Sequence, residues 1–455
     1  MPLVKVNLLK GRSADEKDSI AAAIQAALVS TLEVPESDRY QLFNEYDGQG
    51  NRPAGYDLMT DRVSRLAELS VHGANVQEGQ IVLVGAEIGH EEQARATAEA
   101  AYKRGAKFVD VAYFDPYVKR ARIANADPDT LGFVPQWYGA RVLECGEHNG
   151  ARINMRGPTA PNLMDDLDKS LLGKDALPIV KEIYKVIDER STNWCFVPAP
   201  HPAWAKLVHP DLPADEAYEQ LWRELEHVLR FDEPDPLAAW DARMAVLNDY
   251  AARLTERRFD AIELRGPGTE LTIGLLPTST WATVDFQTAK GLRHIAGIPS
   301  EEVFTTPDLG RTNGHITATM PLVLGDGTII DGLRLRFEDG VAVEIDADKN
   351  AEALRGLTEI DEGARRLGEI ALVDGEGRIG PLETVFYNTL LDESAASHIA
   401  LGNGFPFLIG DADRERCNVS ATHIDFMIGS AELDVDGVSA DGKRVPVLRN
   451  LAWQL

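Results

Sequence analysis

The sequence is poor in cysteine and has none that pair. Cys145, Cys195 and Cys417 are its only three, odd in number and too far apart for a CxxC zinc motif, so neither a disulfide framework nor a cysteine metal site is expected. No basic segment followed by an apolar stretch opens the chain, and no run of about 18 apolar residues occurs, so neither an export signal nor a membrane span is expected. A cytoplasmic location fits. Basic residues are scarce as well: 46 Lys and Arg stand against 73 Asp and Glu, a net charge of −27. Such a surface repels nucleic acid and anionic membranes, which leaves peptides or small molecules as the expected partners. A nucleotide fingerprint is also lacking, because Gly85 and Gly89 do not have the spacing that lets a backbone approach a pyrophosphate, and no P-loop is found.

What remains is an ordinary globular composition, 44% hydrophobic and 26% charged over 455 residues. That length exceeds what one core supports, so two or three domains are expected. The expected fold is α/β plus α+β: an N-terminal βαβ unit (1–48), a linker (49–55), a parallel-sheet α/β domain (56–230) and a strand-rich, metal-binding C-terminal domain (231–455).

The first unit begins with PLVKVNLL, which alternates as a strand does. Ser13 and Glu16 then open a helix over 14–32 with a capping box, and Ile20, Ile24, Ala27, Leu28 and Thr31 share one face. Pro35 ends it, and residues 39–46 read as a second strand. On Pro2, Arg12 within GRSADEK, and Arg39, this segment resembles a subunit of the 4-oxalocrotonate tautomerase family. The resemblance implies an N-terminal proline base, exposed by removal of Met1, with two arginines to hold a dicarboxylate. One such unit has little core of its own, so packing or dimerisation is the other role open to it.

From Tyr56, Val63, Leu66, Leu69 and Val71 form a helical stripe. A strand at 81–84, a helix at 91–104 and a strand at 107–113 predict a parallel sheet. The proline-dense crossing from Thr192 to Trp204 includes His201, read as a structural histidine. Amphipathic helices are predicted over 213–231 and 236–257. Beyond Phe259 the period changes to two, giving hairpins at AIELRG/TELTIGL and LRLRFEDG/VAVEIDA and one helix over 351–367.

Potential ligands recur in this last part. His423-Ile424-Asp425 on a strand presents both polar side chains on one face, because side chains alternate with period two. With Glu302, Glu369 and His398 the set is three carboxylates and two imidazoles, enough for two divalent ions sharing a carboxylate and a water. Taken singly, a His-x-Asp is as well explained by a hydrogen bond, and the Glu301-Glu302 pair by solvation. RGPGTEL (265–271), IPSEEVFTTP (298–307), DEGARRLGEIALV (361–373), DESAASHIALG (392–402) and HIDFMIGSAELDVDG (423–437) occur in order, after TNW and HPAWA. Together they resemble the aminopeptidase T family of metallopeptidases over about 56–455.

The resemblance implies a dimeric, dinuclear aminopeptidase that binds two divalent ions (Zn, Co or Mn) through Glu302, Glu369, His398, His423 and Asp425. A metal-bridged hydroxide would attack the peptide, with Glu301 as candidate general base. Two positions depart from the family pattern. Phe405 replaces a tyrosine suited to oxyanion stabilisation, and Gly297 replaces an asparagine. Relatives that cleave hydroxypyridine rings with iron supply an alternative, a ring-cleaving dioxygenase or hydrolase acting on a small aromatic acid. A metal-binding protein with weakened catalysis is the other.

Overall fold

The structure is a computed structural model that describes residues 4–9, 13–32, 41–46, 54–172, 174–175, 177–178, 180–324 and 328–455. Its contacts define two compact units, Met1–Arg65 and Leu66–Leu455.

In the first unit, strands Val4–Leu9 and Gln41–Tyr46 pair in parallel, with helix Ala14–Leu32 between them in the chain. The capping box forms as expected. Glu16 N donates to Ser13 Oγ at 3.3 Å, and Ser13 N donates to Glu16 Oε2 at 2.8 Å, so two backbone donors at the helix start are satisfied. Pro2, Arg12 and Arg39 lie outside the described residues, as does most of the expected linker. The next helix already begins at Ala54.

The second unit contains the predicted parallel sheet, ordered Phe108–Phe114, Ile81–Glu87, Ala151–Arg156, Asn193–Pro198. The proline-dense crossing resolves into the last of these strands and a helix, Pro202–Val208. His201 caps that helix, its Nδ1 accepting from Ala203 N at 3.2 Å, which is a structural role. Phe196 ties this sheet to the rest of the unit. Its N–H donates to Ala296 O at 2.8 Å and its carbonyl accepts from Ile298 N at 3.0 Å, a parallel bridge with Gly297.

Helices Ala214–Val228 and Pro236–Arg257 follow, burying Leu221, Leu225, Trp240, Met244 and Leu247 as patterned. Asp235 starts the longer one by accepting from Leu237 and Ala238 N, with Pro236 at the first helical position, where a missing N–H costs nothing. An eight-stranded antiparallel sheet then includes both predicted hairpins. Their turns place Gly268 at φ +70, and Asp339 and Gly340 at +46 and +83, the left-handed conformations that tight hairpins demand.

One expectation fails. The helix predicted over 351–367 stops at Leu357, Glu362–Arg365 forms a single tight turn, and Leu367 begins a strand. Asp361 accepts from Ala364 N at 2.9 Å, a local bond that competes with helix continuation. LGEIALV is then buried along its whole length as one of the two inner strands of a second, four-stranded antiparallel sheet. Its order is Glu302–Thr305, Leu367–Val373, His398–Gly402, His423–Met427.

Candidate metal centre

The register of the four-stranded sheet gathers the candidate ligands on one face. Glu302 is opposite Val373, His398 opposite Ala371, Glu369 opposite Ala400, Asp425 on the other side of Ala400, and His423 opposite Gly402. Partners across an antiparallel pair point the same way, and so do residues two apart along a strand. Five ligand side chains therefore rise together, and Ala371, Ala400 and Gly402 leave the room between them. Gly402 has φ +108, and a Cβ there would meet Thr422 O at 2.2 Å, so no larger residue fits beside His423.

The donor atoms fall into two overlapping groups, Glu302–Glu369–His398 and Glu369–His423–Asp425, each lying within 4.8 Å. Glu369 belongs to both. His398 Nε2 is 3.0 Å from Glu302 Oε2, and His423 Nε2 is 3.0 Å from Glu369 Oε2 and 3.2 Å from Asp425 Oδ1. The opposite ring nitrogens are tethered: His398 Nδ1 to Ala396 O at 3.2 Å, His423 Nδ1 to Asn403 O at 2.8 Å. A carbonyl can only accept, so each Nδ1 carries a proton and each Nε2 faces the carboxylates, the orientation that metal-binding histidines take. Glu302 Oε2 and Asp425 Oδ1 are buried without a hydrogen bond despite the nearby imidazoles; those close approaches lack hydrogen-bond geometry. Buried, convergent oxygens without a donor fit a cation.

The electrostatics agree. Burial opposes protonation of His398, yet Glu302, Glu369 and Asp425 raise its pKa to about 10. Burial, with Asp425 and Glu302, pushes Glu369 up to about 7 against the pull of its His423 hydrogen bond. Asp425 is held below its ordinary range, with burial opposing and His423 prevailing. A set of like charges so close together needs positive charge to hold it, which divalent ions would supply more strongly than protons.

Glu301 is not brought into this group. It is fully buried, and its carboxylate is bound by Arg230 at 2.9 Å and by Arg243, which also holds Asp374 at 2.7 Å. Arg243→Met is expected to cost about 3–5 kcal/mol, because Glu301 and Asp374 would be left buried with a missing partner. A shift in the denaturation midpoint measures it, and an unchanged midpoint would show the ion pairs to be unimportant.

Three further side chains are linked to the cluster electrostatically, Arg156 only through Glu393 and Tyr184. Glu393, five residues before His398, has its pKa raised well above the ordinary carboxylate range by burial and then by Glu302 and Asp425. Tyr184 feels His423, Arg156 and Asp425, with burial raising its pKa. Arg156 feels Glu393, Glu87 and Tyr184. Only Glu393 carried a sequence signal, an acid among the small residues of DESAAS. Phe405 lies 5.3 Å from the His423 ring within a group that includes Phe304 and Phe407. A cavity of about 220 Å³, lined by residues such as Asp165, Pro321, Asp331 and Tyr387, shares none of these side chains.

Comparison with known proteins gives the family of the chain. Residues 59–453 match the family model described as thermophilic metalloprotease (M29), and residues 2–52 match the tautomerase enzyme model. Aminopeptidase T of Thermus aquaticus is 40% identical over 408 residues, covering 87% of this chain and 99% of its own length. Aminopeptidase 2 of Geobacillus stearothermophilus is 34% identical over 406 residues, covering 86% and 97%. The solved structure of wild-type AmpT from Thermus thermophilus superposes with a TM-score of 0.78 at 38% identity, covering 87% of this chain and all of that one. The chain belongs to the M29 family of metalloproteases.

Proposed function

We propose that this protein removes N-terminal residues from peptides, using two divalent ions (Zn, Co or Mn) held by Glu302, Glu369, His398, His423 and Asp425, with Glu369 shared. That it is a metal-dependent aminopeptidase acting on peptides follows from its family and its aminopeptidase relatives. The observation that supports the two-ion centre is the pair of donor groups meeting at Glu369 on one sheet face. A two-histidine, one-carboxylate iron site needs fewer donors than are gathered here.

Bound divalent ions supply a water of lowered pKa and polarise the scissile carbonyl. The protein does the rest. The Nδ1 tethers to Ala396 and Asn403 aim both imidazoles, and an excess of carboxylates favours a substrate end that presents a free amine. Glu393 is the general base in this reading, taking the water's proton on its carboxylate and returning it to the leaving amine. Glu301, spent on two arginines, instead positions the turn that carries Glu302. Tyr184 supplies the hydroxyl that Phe405 lacks, donating to the developing oxyanion. The same proposal includes residues 231–455 as the catalytic domain after 56–230, a homodimer and a cytoplasmic location; a monomer in sedimentation would remove the dimer.

The test is hydrolysis of aminoacyl-p-nitroanilides by metal-stripped protein reloaded with Zn²⁺, Co²⁺ or Mn²⁺. Activity is expected to return with two ions per chain, and Tyr184→Phe to lower it by on the order of 10²-fold. Two bound ions without hydrolysis would sink the two-ion mechanism, and full activity in Tyr184→Phe would sink the role of that residue.

A further inference from the structure

Arg156 occupies a place in the fold that the mechanism leaves unused. It ends the Ala151–Arg156 strand, at the carboxyl edge of the parallel sheet, where open α/β sheets bind ligands. Its carbonyl is latched twice, accepting from Ala199 N at 2.7 Å and from Asn388 Nδ2 at 3.2 Å. Asn388 opens the short helix Thr389–Asp392 that leads directly into Glu393. The Arg156 guanidinium lies 4.4 Å above the ring of Phe196, whose backbone is bonded on both sides of Gly297, a few residues before Glu302. The Asn388 side-chain bond and the Phe196 contact thus hold Arg156 between the segments that deliver Glu393 and Glu302.

The guanidinium has no hydrogen bond or ion pair among the described residues; its close contact is the Phe196 ring. Arg230 and Arg243, by contrast, are committed to Glu301. Glu87, one of the acids nearest in effect to Arg156, is itself occupied, accepting from Thr159 Oγ1 at 2.8 Å and Thr159 N at 3.1 Å. A half-buried guanidinium backed by an aromatic ring, with its planar fork of donors uncommitted, matches a carboxylate that it can bind through two parallel hydrogen bonds.

We propose that Arg156 binds a substrate carboxylate on the leaving-group side of the scissile bond, the terminal carboxylate of a short peptide, so that dipeptides are cleaved in preference to blocked or long ones. This rests on the aminopeptidase reading above. The step adds no chemistry to the hydrolysis; it selects which leaving amine is presented.

The experiment compares kcat/KM of the metal-loaded protein for Leu-Gly, Leu-Gly amide and Leu-Asp amide, in the wild type, Arg156→Met and Arg156→Lys. The wild type is expected to favour the free acid over the Gly amide by roughly 10- to 100-fold, mostly in KM, as charge-assisted hydrogen bonds allow. That ratio should collapse toward one in Arg156→Met and recover in part in Arg156→Lys. Because it is internal to each variant, lost folding cannot imitate the collapse. Leu-Asp amide cleaved as well as Leu-Gly would overturn the assignment to the terminal carboxylate and give the site to an acidic side chain instead. Equal rates for all three in the wild type, or an unchanged ratio in Arg156→Met, would overturn the proposal while leaving the aminopeptidase standing. No cleavage of any of them at any metal loading would overturn both.

Discussion

Glu369→Ala is expected to bind neither ion tightly and to lose aminopeptidase activity by on the order of 10³-fold or more, whereas His398→Ala should keep one ion. The difference comes from position. Glu369 is the member common to both donor groups, while His398 belongs to one. It holds that place because Ala400, opposite it in the sheet, has Asp425 on its other side, so one carboxylate reaches both halves of the cluster. Metal content by elemental analysis, with activity on an aminoacyl-p-nitroanilide, reads both quantities. Should Glu369→Ala retain one ion at wild-type affinity, the shared carboxylate would be wrong.

Glu393→Gln should behave differently, losing on the order of 10²–10⁴ in kcat while keeping its full complement of metal. Glutamine preserves the shape of the side chain but cannot take up a proton, so only proton transfer is removed. The position suits a base, since burial and the neighbouring carboxylates raise its pKa and so make its carboxylate a stronger proton acceptor. Loss of an ion in Glu393→Gln would instead make Glu393 a ligand. Glu301→Gln gives the contrast. Its carboxylate faces Arg230 and Arg243, so its replacement should weaken the fold before the chemistry.

Adjacent glutamates with opposite fates show how far the sequence could be read. Glu301 and Glu302 are equally acidic and equally placed in IPSEEVF. Their roles separate only because neighbours along an extended chain point to opposite faces, one toward Arg230 and Arg243 and the other toward the cluster. The helix expected over 351–367 fails for a related reason: periodicity registered Ala351–Leu357 correctly, but Asp361, which also accepts from Ser420 and Ala421, and the buried LGEIALV run answered to partners distant in the chain. Strand and turn patterns were legible where the instruction is local, as in the capping box at Ser13 and the hairpin turns at Gly268 and Gly340.

By itself the sequence determined the kinds of element, the hairpins, the parallel α/β half and the ligand types, since alternation, turn chemistry and donor chemistry are properties of short segments. The His423-x-Asp425 geometry needed nothing more than the period of a strand. Only the tertiary structure decided that Glu369 lies in both donor groups, that Glu301 is withdrawn into ion pairs, and that Glu393 and Tyr184 come within electrostatic reach of the cluster. Those facts depend on strand register and on the latching of one sheet to another through Phe196 and Asn388, and register is fixed by which apolar faces bury together across the whole unit.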